Sequence, residues 1–182
     1  MARLRYLTRD QVEFVAHRLA ARLFTDYGDP LPAFELFGGI REGGSLLDSA
    51  LGLPRQPYYR TLFDKAGALL RSMIKNHPLV DGNKRVGMTS ALVFLMLNRH
   101  FLVASNEEMV AFALEVATKE PDMSWQEVAV WLRERSVHFA TPKDAIDVMM
   151  GRFPAEWNEP RASAIQARLL DYGVAVLQLR PD

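Results

Sequence analysis

From Val86 to Leu97 the chain is apolar nearly all round a helical wheel. Val86, Met88, Ala91, Leu92, Val93, Phe94, Leu95, Met96 and Leu97 are interrupted only by Gly87, Thr89 and Ser90. A helix lying on a surface keeps one polar face; a helix without one belongs at the centre of a bundle. The longest unbroken apolar run, Ala91–Leu97, is far too short to cross a bilayer. The start of the helix is marked as well. Pro78 disfavours helix at His77, and Gly82 favours a turn, so the helix begins near Asn83 or Lys84 and runs to about Asn98.

The rest of the chain supplies helices to surround it. Thr8–Gln11, Ser105–Glu108 and Ser124–Glu127 have the form of capping boxes. Each is followed by apolar residues at helical spacing: Val12, Val15, Ala16 and Leu19; Met109, Phe112, Ala113 and Val116; Val128, Trp131 and Leu132. Thr61 to Asn76 carries a stripe of Phe63, Ala66, Leu69, Leu70, Met73 and Ile74. The fold class expected is all-α, a helical bundle around one buried helix. Four glycines among Gly38, Gly39, Gly43 and Gly44 predict a flexible loop or a small β-flap, with a short helix from Ser45 to Leu51. A boundary at His138–Pro142 divides a domain over residues 1–137 from a C-terminal extension over 138–182. In the extension, Asp144–Met150 and Ala162–Tyr172 are predicted helices and Val174–Leu179 a strand.

Composition narrows the function. Cysteine is absent, which excludes disulfides, thiolate zinc sites and thiol catalysis. The formal net charge is zero, which disfavours a protein that holds nucleic acid by its phosphates. The first ten residues carry Arg3, Arg5 and Arg9 with no apolar stretch behind them, so they do not form a signal peptide. A cytoplasmic protein with no membrane contact is expected.

Chemistry concentrates in His77-Pro78-Leu79-Val80-Asp81-Gly82-Asn83-Lys84-Arg85. This loop enters the N-terminus of the buried helix, where unpaired N–H groups and the positive dipole end stabilise an anion. Gly82 admits the anion close to the backbone, and Lys84 and Arg85 add positive charge, so the stretch describes a phosphate cradle. Asp81 is the candidate ligand for Mg²⁺, which takes one or two carboxylates together with phosphate oxygens and water. Imidazole is the side chain whose ordinary pKa lies near neutrality, so His77 is the candidate general base toward a hydroxyl. The reaction implied is transfer of a phosphate-containing group from a nucleotide to an alcohol. Taken singly, Asp81-Gly82-Asn83 would be a plain turn and Lys84 and Arg85 a solvated helix face. His17, His100 and His138 are read as structural.

The stretch resembles the signature of the Fic/Doc family, in which His, an aromatic, an acid, a small residue, Asn and Arg recur in that order; His77, Asp81, Gly82, Asn83 and Arg85 match. Gly39–Leu51 and Ser90–Asn98 are also similar to Doc-like proteins, and the resemblance spans about Leu4 to Ser136. It implies a Fic/Doc helical bundle using ATP and Mg²⁺, with His77 as base and Asp81 on the metal. Gly82, Asn83 and Lys84 would form the anion loop, Arg85 would contact phosphate, and a flap near Phe37–Gly44 would align the target peptide. Leu79 stands where the family usually has phenylalanine and keeps the anchor apolar. Adenylyl-transferring members keep a second glycine at the place of Lys84 and a second arginine at that of Met88. Both departures resemble the Doc (death-on-curing) toxins, which act as kinases. The implied function is that of a Doc-like toxin, passing the γ-phosphate of ATP to a Ser or Thr hydroxyl of a protein, by resemblance a translation elongation factor. An adenylyltransferase and a non-catalytic protein-binding module are the alternatives. The motif of self-inhibited Fic proteins, Ser or Thr followed four residues later by Glu, is absent, so an antitoxin in trans is implied.

Overall fold

The computed structural model describes residues 4–177. Helix α1 (Arg9–Gln11) runs through a π-helical turn (Val12–Ala16) into α2 (His17–Leu23). Then come α3 (Gly39–Gly52), a 3₁₀ turn (Leu53–Arg55), α4 (Leu62–Lys75) and α5 (Asn83–Leu97). Helices α6 (Asn106–Thr118), α7 (Trp125–Glu134), α8 (Pro142–Met149) and α9 (Glu159–Leu177) complete the described chain. Two short strands, β1 (His100–Leu102) and β2 (Ser136–His138), pair antiparallel with His100 opposite His138. The fold is all-α.

The apolar segment is the central helix. Every residue from Val86 to Leu95 is buried in α5, which packs against α2, α4 and α6, while α4 also packs against α7. The main core draws Leu19, Leu69, Met73, Leu92, Phe94, Met109 and Leu132 from these helices, and Leu47 from α3. The three capping boxes are built as read: Thr8, Ser105 and Ser124 each accept from the N3 backbone N–H, and Gln11, Glu108 and Glu127 reach back. Thr61 with Asp64 and Thr141 with Asp144 make two more.

The structure corrects two expectations. The glycine-rich stretch from Gly39 is not a loop but the first turns of α3; the non-helical, flap-like backbone is residues 31–36, with a turn at 37 and 38. Gly43 is glycine because it is the point of closest approach to the flap, as described below, and not because the chain turns there. In the extension, Val174–Leu177 continue α9 instead of forming a strand, and Gln178 and Leu179 lie outside the described residues. The β1–β2 pair was not foreseen.

Val137, Phe139, Ala145, Val148, Ile165 and Leu169 make a small second core. One turn beyond Leu169, Tyr172 is buried in the main core and its hydroxyl donates to the Leu102 carbonyl. Burial pushes this phenol above its ordinary pKa. No helix among the described residues is long and apolar enough to cross a membrane.

Candidate active site

Helix α4 ends at Asn76, whose N–H donates to the Ser72 carbonyl at 2.9 Å. His77 follows with φ of 49°, the left-handed residue that commonly closes a helix, and Pro78 prevents its continuation. A non-glycine residue held there costs about 1–3 kcal/mol. The imidazole stays exposed.

The loop beyond His77 is fixed on both sides. On one side it pairs with the flap: the Val80 N–H donates to the Glu35 carbonyl at 3.0 Å, and the Phe37 N–H donates to the Pro78 carbonyl at 2.9 Å. These bonds flank an isolated antiparallel bridge between Leu36 and Leu79. A Cβ on Gly43 would lie 2.6 Å from the Phe37 nitrogen, the Phe37 oxygen and the Pro78 oxygen alike, so only glycine lets α3 approach this ladder. On the other side Leu79 is 2% exposed, buried in the main core. Full burial of a leucine contributes about 1.5–3 kcal/mol, so the leucine anchors the loop as the usual phenylalanine would. The Asn83 side chain then closes on the Leu79 backbone from both directions.

Gly82 precedes α5 with φ of 78°, a left-handed conformation suited to glycine. A Cβ there would also meet the Leu31 Cδ1 at 2.5 Å. The ladder of α5 opens with the Val86 N–H donating to the Gly82 carbonyl at 2.9 Å. The N–H groups of Asn83, Lys84 and Arg85 precede that bond and have no partner within the helix. Among the described residues no side chain caps them.

These residues line a cavity of about 420 Å³. Its polar side is Asp29, Asp81, Asn83, Lys84 and Arg85; its apolar side is Phe24 and Met88 with Met109, Val110 and Ala113 of α6. Arg85 donates through Nη1 to the Asp29 carbonyl at 2.8 Å. The Asp81 carboxylate accepts from the Gly82 N–H at 2.5 Å. Lys84 is exposed and forms no ion pair among the described residues. Asp81 to Arg85 thus share one cavity, whereas His77 stands outside its walls, at the far end of the same loop.

Sequence reasoning missed the opposite wall. Phe24, Tyr27, Gly28 and Asp29 come from the end of α2 and the turn after it; no motif marks them, and the turn residues signal only where the helix stops. The Glu107 carboxylate beside the Tyr27 hydroxyl pushes that phenol up to about 12. Tyr27 in turn brings the Glu107 carboxyl down to about 2. Among the described residues no three His, Asp or Glu side chains gather to hold a metal. Asp81 and Asp29 both line the cavity, and Mg²⁺ needs only one or two carboxylates when phosphate oxygens complete its shell. That donor set fits.

A family model described as the Fic/DOC family matches residues 6–95. A curated relative, Toxin Doc of Mycolicibacterium smegmatis, is 40% identical over 111 residues, covering 55% of this chain and 85% of the relative. No solved structure matches.

Proposed function

This chain belongs to the Fic/DOC family, whose enzymes modify proteins with nucleotides, and we propose that it is a Doc-like toxin, restrained by an antitoxin, that moves the γ-phosphoryl group of ATP onto a protein hydroxyl. One observation carries the reading: the N-terminus of α5 is uncapped and opens on a cavity shared by Asp81, Lys84 and Arg85, a place where phosphate is stabilised by N–H groups, dipole and cationic charge together.

In this reading the N–H groups of Asn83, Lys84 and Arg85 and the Arg85 guanidinium hold phosphate oxygens, and the Asn83 side chain holds the loop. Asp81, with Asp29 nearby, holds Mg²⁺, which when bound neutralises charge on the phosphates. His77 takes the proton of a Ser or Thr hydroxyl as its oxygen bonds to the γ-phosphorus. The bond between that phosphorus and the β,γ-bridging oxygen breaks, and ADP leaves. The exposed position of His77 beside the flap suits a base acting on a macromolecule rather than on a small alcohol.

Two side chains favour the terminal phosphate. Lys84 sits on the rim where a glycine would let a triphosphate lie close along the backbone, and its ammonium is a compact point charge. Met88, buried in the cavity floor, offers a thioether where a second arginine would clamp the outer phosphates for adenylyl transfer. The test is incubation with a cell lysate and ATP labelled separately on the α- and γ-phosphates. Protein-bound γ-label without α-label is the expected outcome. Protein-bound α-label would replace the kinase reading with adenylyl transfer.

A further inference from the structure

Helix α9 lies outside the residues that the family model matches, yet it bonds to the start of α6, one turn before the cavity wall. The Arg168 side chain is 16% exposed, and its Nη1 donates both to Asn106 Oδ1 at 3.3 Å and to Asp171 at 3.0 Å. Asn106 opens α6, and its Nδ2 donates to the Leu23 carbonyl at 2.6 Å. Leu23 ends α2, where carbonyls lose their partners within the helix. One chain of hydrogen bonds therefore ties α9 to the two elements that build the apolar wall: Phe24 and Tyr27 follow Leu23, and Met109 and Val110 follow Asn106. The buried Tyr172, one turn on, fixes the seating of α9 through the Leu102 carbonyl.

We infer that Arg168 is a positioning residue for nucleotide binding, aligning the wall against which the nucleoside end of the substrate packs. The inference rests on the nucleotide reading of the cavity given above. It separates the two ends of the ligand. The phosphate cradle is held by Asn83, Leu79 and the flap, none of which α9 contacts through this network. The apolar wall is held by Arg168 through Asn106. Both of Arg168's bonds leave from a single nitrogen, so a lysine ammonium can reproduce them.

The experiment measures binding by calorimetry on the full chain with Mg²⁺, using a non-hydrolysable ATP analogue and, separately, inorganic triphosphate. Arg168→Ala should weaken the ATP analogue about three- to tenfold, the span of one net hydrogen bond, and leave inorganic triphosphate unchanged. Asn106→Ala should do the same, and Arg168→Lys should restore binding. In the transfer reaction KM for ATP should rise while kcat holds. Equal weakening of both probes, or a lower melting temperature with unaltered ATP affinity, would overturn the inference and leave the nucleotide reading standing. A wild-type chain that binds triphosphate no less tightly than the ATP analogue would remove the nucleotide reading and this inference together.

Discussion

The Asn83 amide and the Leu79 backbone form a closed pair: the Leu79 N–H donates to Oδ1 at 2.9 Å, and Nδ2 donates to the Leu79 carbonyl at 2.7 Å. Asn83 is 7% exposed, so no water replaces the bonds readily. Asn83→Ala should cost about 2–4 kcal/mol in denaturant unfolding, because two buried backbone groups lose their partner. Asn83→Asp keeps the acceptor but places a carboxylate on the anion site, so it should weaken phosphate binding more than alanine does. Calorimetric titration with inorganic triphosphate orders the two.

His77→Ala should lower group transfer by roughly 10²–10⁴-fold, the usual worth of a general base, with affinity for an ATP analogue held. The basis is spatial. His77 is exposed and outside the cavity walls, while Asp81 to Arg85 line them. A fall in ATP affinity parallel to the fall in rate would assign His77 to binding instead.

His100 gives a pH dependence unrelated to catalysis. Burial lowers its pKa from the ordinary 6.5, and the neighbouring His138, whose ring centroid is 4.8 Å away, adds to the lowering. The folded state therefore favours the neutral ring. That stabilisation is complete above the ordinary value and is lost as pH falls through the depressed one. Between about pH 7 and pH 5, the span around an ordinary histidine, the wild type should lose stability more steeply than His100→Gln. An NMR titration midpoint for His100 at or above 6.5 contradicts this.

The sequence made the bundle legible wherever a cap or a stripe was local. The Thr8, Ser105 and Ser124 boxes and the apolar run of α5 are patterns within one helix, and the contiguous run from His77 to Arg85 made half of the site visible. What escaped notice depends on contacts distant in sequence. Gly39–Gly44 has poor helix propensity, and the reason for a glycine at 43, its approach to Phe37 and Pro78, lies outside the segment. The β1–β2 pair joins three-residue segments far apart in the chain, too short for any alternation to register. Val174 and Val176 are β-favouring residues carried into helix by the continuation of α9. The wall formed by Phe24, Tyr27 and Asp29 has no signature, because what matters is where α2 stops relative to α6.

Among the described residues five helices open on paired side-chain caps, while α5 opens on amides that no side chain caps. Hydrogen exchange turns that asymmetry into an occupancy gauge. The amide protons of Asn83, Lys84 and Arg85 trade with solvent when nothing accepts from them and slow when an anion does. The amides of Gln11, Asp64, Glu108, Glu127 and Asp144, each already bonded to its own cap, keep their rates and serve as internal clocks. The molecule thus carries both a signal and its reference, readable with no knowledge of the target protein.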